Sequence, residues 1–126
     1  MVKKERKLLI IDDEKDICDF EKSYLEKRNF IVSIAQTGLL GITLAKTKKP
    51  DIAIIDVHMS KGIGGIEILQ RLLKVHPKCR CIMATWDKEK AIEAKKLGAV
   101  DILLKPAEIE DLEKAVNRVA KKLPKN

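Results

Sequence analysis

Aromatic side chains are scarce: one Trp, one Tyr and two Phe in 126 residues. So few rings argue against a platform for stacking on nucleic-acid bases. Cysteine is sparse too, limited to Cys18, Cys79 and Cys81. An odd number at these spacings suits neither a zinc site nor a disulfide framework, so buried, reduced thiols are expected. No apolar run approaches the about 18 residues that span a bilayer. The stretch Leu8–Ile11 is too short for a signal-peptide core and runs into Asp12, Asp13 and Glu14. Membrane insertion is therefore not expected, and a cytoplasmic location is. Linkers, repeats and low-complexity segments are missing as well, so the length reads as one domain over residues 1–126.

What is abundant is charge. The formal net charge is +7, which invites a nucleic-acid reading if the excess is clustered. The excess lies at the ends. Residues 1–7 carry a net +3, residues 118–126 a net +4, and residues 8–117 balance 18 bases with 18 acids. A neutral body with two basic tails does not describe a binding groove, and direct nucleic-acid binding is not expected.

Five short apolar runs stand out: Leu8–Ile11, Phe30–Ala35, Ile52–Ile55, Cys81–Ala84 and Ile102–Leu104. They are Ile-rich without clean alternation, as in strands buried on both faces. Helical spacing fills the gaps. Residues 14–28 align Ile17, Phe20, Tyr24 and Leu25, and residues 38–48 align Leu40, Leu44 and Ala45. Residues 65–75 align Ile66, Leu69, Leu72 and Leu73, and residues 87–97 align Ala91, Ala94 and Leu97. Residues 108–122 align Ile109, Leu112, Val116 and Val119, with acids first and bases last, which complements a helix dipole. Breakers fall at the joints. The pattern is βα five times over, a (βα)5 doubly wound α/β sheet.

Ligands of such sheets bind beyond the carboxyl ends of the strands. Asp12 and Asp13 follow the first run, Asp56 the third, Thr85 the fourth and Lys105 the fifth. Each has an ordinary alternative. Asp12 or Asp13 suits a helix cap, Asp56 a turn, Thr85 or Asp87 another cap, and Lys105 a solvated surface. All five at strand ends, in this order, favour one converged site. Clustered carboxylates repel, and a divalent cation relieves that. Oxygen ligands without organised His or Cys point to Mg²⁺, which prefers carboxylates, waters and phosphate. A Lys and a Thr nearby suit a phosphoryl group, and one carboxylate could act as its nucleophile.

These residues resemble the receiver domain of two-component response regulators, of the single-domain chemotaxis type. The resemblance covers about residues 6–122. It rests on Leu8–Glu14, the strand Asp51–Asp56, Met59, Met83–Thr85, and Gly98–Pro106 ending in Lys105-Pro106. It implies a flavodoxin-like three-layer sandwich with a parallel five-stranded sheet in the order 2-1-3-4-5. It implies that Asp56 accepts a phosphoryl group from a sensor histidine kinase or phosphotransfer protein. Asp13 and Asp56 would bind Mg²⁺ directly, Asp12 through water, and the backbone carbonyl of His58 would be a further ligand. Thr85 would bond the phosphoryl group as the switch hydroxyl, and Lys105 would pair with it. The Lys105–Pro106 peptide is expected to be cis. Phosphorylation would shift the face of helix 4, strand 5 and helix 5 towards an effector that the sequence does not name. A monomer or weak dimer is expected.

The sequence departs from the family pattern in four respects. Ser60 stands where Pro often follows Met59, and Gly64 and Gly65 lie eight and nine residues after Asp56, suggesting one extra loop residue. Trp86 follows Thr85, where a small residue is usual; its indole either covers the site or lies on a surface groove. Ile102 replaces the switch aromatic, so no ring swaps rotamers there. His58 is expected to be a solvent-exposed loop residue, and His76 to complement a helix end or be exposed. Other readings stay open. The chain could be the N-terminal receiver of a larger DNA-binding or enzymatic regulator, or a small Mg²⁺-dependent aspartyl-phosphate phosphohydrolase. Finally, the first strand should start and the last helix finish opposite the acidic pocket, making a basic pole.

Overall fold

The computed structural model describes residues 5–124. Five strands alternate with five helices: β1 (Arg6–Ile11), α1 (Lys15–Glu26), β2 (Phe30–Ala35), α2 (Gly38–Lys48), β3 (Ile52–Asp56), α3 (Gly65–Val75), β4 (Arg80–Thr85), α4 (Lys88–Lys96), β5 (Asp101–Leu104) and α5 (Ile109–Lys121). All neighbouring strands pair in parallel, in the order β2-β1-β3-β4-β5. This is the flavodoxin-like arrangement expected from the sequence.

The two faces of the sheet carry separate cores, which explains why the apolar runs do not alternate. Leu9 and Ile11 of β1, Ile55 of β3 and Met83 of β4 pack with Ile68, Leu69 and Leu72 of α3. Leu8 and Ile10, Ile54 and Ile82 pack on the other side with Leu25 of α1 and Leu112, Val116 and Val119 of α5. Successive residues of one strand point to opposite faces, so both must be apolar when helices cover both.

Local chemistry sets the helix ends. Thr37 caps α2 by accepting from Leu40 N at 3.1 Å. Asp87 caps α4, accepting from Glu89 N at 2.9 Å. Glu108 N donates to Asp111 Oδ2 at 2.9 Å at the start of α5. Each occupies amide donors that the first turn leaves free.

Two of the expected helix faces are corrected. In α1 the buried residues are Cys18 and Leu25, while Ile17 and Phe20 are exposed. In α2 the buried residues are Gly38, Gly41 and Ala45, and Leu40 is exposed. The reason is close approach: a Cβ on Gly41 would lie 2.8 Å from Ile11 Cγ1. Small residues let α2 sit down on β1, Leu44 packs at the edge of the core, and Leu39 and Leu40 turn outward.

The first and last parts of the described residues meet, since Arg6 Nη2 donates to Pro124 O at 2.9 Å. That end of the sheet is opposite the carboxyl ends of the strands. Lys3, Lys4 and Lys125, which supply part of the anticipated basic pole, lie outside the described residues. Among the described residues, no helix is long and apolar enough to cross a membrane.

Candidate functional site

Strand register assembles the site. Ile11 pairs with Ile55, so Asp12 follows β1 beside Asp56 at the end of β3. Asp56 pairs with Ala84, so Thr85 is one residue further along β4. Thr85 pairs with Leu104, so Lys105 is one residue beyond β5. Parallel pairing thus brings residues far apart in sequence to one edge.

Asp12, Asp13 and Asp56 each place a carboxylate oxygen within 4.8 Å of the others. Asp12 and Asp56 are buried, and Thr85 is fully so. Lys105 Nζ stands 3.5 Å from Asp56 Oδ1. One ammonium beside three acids leaves an excess of negative charge in a partly desolvated pocket. Burial pushes the Asp12 carboxyl above its ordinary range, although the Glu14 amide, at 3.0 Å, favours its charged form. Asp13 behaves oppositely. The hydroxyl and amide of Ser60 donate to its Oδ2 at 2.5 and 2.7 Å and hold it below the usual carboxylate range. Such a donor set fits a hard divalent cation, the group that best offsets three converging carboxylates.

The loop after β3 is held close to this cluster. His58 N donates to Asp56 Oδ1 at 2.9 Å, and Gly65 N to Val57 O at 3.1 Å. A Cβ on Gly65 would stand 2.6 Å from Asp56 O, so α3 starts against the backbone of the acid. The close approach falls on Gly65, nine residues after Asp56, and not on Gly64. The Lys105–Pro106 peptide is cis.

His58 departs from the expected exposed loop position, whereas His76 stands at the C-cap of α3, the helix end that one sequence alternative gave it. His58 is half-buried, with Nε2 2.7 Å from Thr85 Oγ1 and its ring stacked on Trp86 at 4.5 Å and 10°. His76 is half-buried too, and its Nε2 lies 2.7 Å from Pro50 O, tying the end of α3 to the turn before β3. Trp86 is 64% exposed and also borders the acidic pocket, so it does part of what each sequence alternative described. Ile102 is half-buried and packs against the α3 side of the core.

The sequence did not single out three features. Ser60 stood out only as a missing proline, whereas its two donors clamp Asp13. Glu21 lies on α1 facing a cleft of about 580 Å³ that also reaches Asp12, Asp56 and Lys105. Burial, and secondarily the charge of Asp12, raise its carboxyl to about 7. Ile17 and Phe20 line the same cleft. Their apolar helical spacing is the signal in the sequence, and in the structure it marks the wall of this cleft.

A doubly wound sheet with acids, a hydroxyl and an ammonium gathered at its carboxyl edge defines a class of small α/β modules that bind ligands at that edge. Within that class, the chain belongs to the response regulator receiver domain family, whose model matches residues 8–117. It is 30% identical over 122 residues to the photosynthetic apparatus regulatory protein RegA of Cereibacter sphaeroides, covering 95% of this chain and 66% of RegA. Across the curated relatives that include RegA and ActR, the chain spans between about half and two thirds of their length. A CheY-like receiver domain from Methanospirillum hungatei superposes with a TM-score of 0.85 at 27% identity, covering 94% of this chain and 96% of that one. A response regulator from Burkholderia pseudomallei, solved with a phosphorylated aspartic acid, calcium ion and citrate, superposes with a TM-score of 0.82 at 25% identity. It covers 93% of this chain and 70% of that one. The chain thus carries a receiver domain of two-component signalling, and receiver domains are signalling modules.

Proposed function

We propose that Asp56 accepts a phosphoryl group from a phosphohistidine on a sensor kinase or phosphotransfer protein, in a reaction that needs Mg²⁺. The supporting observation is the convergence of Asp12, Asp13 and Asp56 within 4.8 Å, with Lys105 and Thr85 at the same strand edge. Asp13, Asp56 and the His58 carbonyl would hold the metal, with Asp12 acting through water. When bound, Mg²⁺ offsets the carboxylate charge and the charge that develops on the phosphoryl oxygens.

The remaining chemistry belongs to the chain. A carboxylate oxygen of Asp56 attacks phosphorus, the phosphorus–nitrogen bond breaks, and the imidazole leaves with the electron pair. No general base is required, because the nucleophile is a carboxylate oxygen with no proton to lose. Lys105 Nζ, 3.5 Å from Asp56, is placed to stabilise the equatorial oxygens. Thr85 then donates its hydroxyl to the phosphoryl group, and the face of α4, β5 and α5 shifts for an effector. Exposed Ile17 and Phe20 beside the cleft give the donor an apolar ledge next to the acceptor.

Incubation with acetyl phosphate and Mg²⁺ should add one phosphoryl group, read by intact mass, and Asp56→Asn should add none. Failure of the wild type to gain the group, or modification of Asp56→Asn to the same extent, would refute the assignment.

A further inference from the structure

Thr85 is the residue on which a receiver's switch would turn, and its hydroxyl is already engaged. A threonine hydroxyl offers one proton and two acceptor sites. Asp87 N donates to Thr85 Oγ1 at 2.9 Å, and His58 Nε2 lies 2.7 Å from the same atom. Thr85 has no exposed surface, so water does not compete for these bonds. His58 is anchored at two points, since its backbone N–H donates to Asp56 Oδ1 at 2.9 Å. Its ring stacks on Trp86, the residue bonded to Thr85 in sequence. Contacts therefore run from Asp56 to His58 and on to Thr85, and the stack on Trp86 closes the path back to His58.

We infer that His58 and Trp86 form a stacked latch that holds the Thr85 hydroxyl in its resting place, and that phosphorylation of Asp56 opens it. This rests on the proposed phosphoacceptor role of Asp56. As Thr85 moves to the phosphoryl group, its contact with His58 lengthens, whichever partner carries the proton. A phosphoryl group on Asp56 also alters the carboxylate that holds the His58 backbone. Both ends of His58 therefore respond to one event, and the stack passes it to Trp86. Ile102 offers no ring to rotate, so the mobile aromatic pair lies on the loops after β3 and β4. Trp86, 64% exposed, presents that change to a partner at the phosphorylated edge itself.

The latch opposes switching, so removing it should favour the phosphorylated form. Beryllofluoride, a phosphoryl mimic, is titrated with saturating Mg²⁺ and read by fluorine NMR. His58→Ala should bind it about two- to tenfold more tightly, the range set by the net worth of one hydrogen bond. Trp86 is the sole tryptophan, so emission reports this site alone. In unliganded His58→Ala, emission should resemble that of the beryllofluoride-bound wild type. The gain should vanish when Thr85→Ala is also present, because the latch has nothing left to hold. His58→Gln, which reaches Thr85 with an amide, should return affinity towards wild type. Equal or weaker binding by His58→Ala, or an undiminished gain in the Thr85→Ala background, would overturn the latch while leaving Asp56 as acceptor. If the wild type bound no beryllofluoride, the receiver chemistry would fail first and the latch with it.

Discussion

Replacing Asp12 by Asn separates the cost of the acidic cluster from its use. The change keeps the shape and the oxygen that accepts from Glu14 N, and removes one buried charge. Two forces act on that charge. Carboxylates with oxygens within 4.8 Å repel, by about 3 kcal/mol per pair at an effective dielectric near 20. Lys105 opposes that repulsion, and desolvation is the largest influence on the carboxyl. Without metal, Asp12→Asn should therefore be more stable than wild type by about 1 kcal/mol, or about 3–6 °C in Tm for a domain of this size. The pH dependence has a definite sign. Burial raises the Asp12 carboxyl above its ordinary 3.8, so its contribution to stability is complete below 3.8 and is lost as pH rises through the folded value. The advantage of Asn should thus be absent in acid and grow towards neutral pH. Mg²⁺ should reverse the order. At a free concentration of about ten times Kd it stabilises the wild type by about 1.4 kcal/mol, and Asp12→Asn should lose most of that. Thermal unfolding with Mg²⁺ or EDTA reads both effects. A lower Tm for Asp12→Asn in EDTA, or an undiminished response to Mg²⁺, would refute the reasoning.

Glu21 gives a second handle on the same cleft. Its carboxyl is raised from 4.5 to about 7, so the stability present below 4.5 is lost as pH rises to about 7. Glu21→Gln should gain up to about 3 kcal/mol over wild type at about pH 8 and nothing at about pH 4, measured by urea unfolding; a gain independent of pH would show that the charge is not responsible. Gly65→Ala should destabilise by about 1–3 kcal/mol, because the new Cβ meets Asp56 O at 2.6 Å and Val57 N at 3.0 Å. It should also slow phosphorylation by acetyl phosphate, and an unchanged Tm and rate would show that the loop yields freely.

The exposed apolar residues of α1 show where periodicity misleads. Ile17 and Phe20 share a helical stripe with Tyr24 and Leu25, and a stripe normally marks the buried face. At the top of α1 the sheet has ended, and the stripe meets the cleft instead of a strand. The same helix buries Cys18, whose thiol desolvation pushes to about 12. A small residue fits where α1 crosses the end of β1, as Cys18 Sγ reaches Asp12 O at 3.3 Å.

The sequence by itself determined the order of strands and helices, the two-sided burial of the strands and the residues at the strand ends. Those follow from local rules: apolar runs, breakers and the family motifs from Asp12 to Pro106. The placement of Asp12, Asp56, Thr85 and Lys105 at one edge was legible for the same reason, because parallel strands of a doubly wound sheet finish together. Only the tertiary structure decided what the side chains touch. The bond from His58 to Thr85 joins residues 27 apart, and Ser60 reaches Asp13 across 47. Such contacts depend on how two loops fold over the sheet edge, and no periodicity records a loop's path. A strand's neighbours are fixed by its register, whereas a loop residue finds its partner only when the whole edge has assembled.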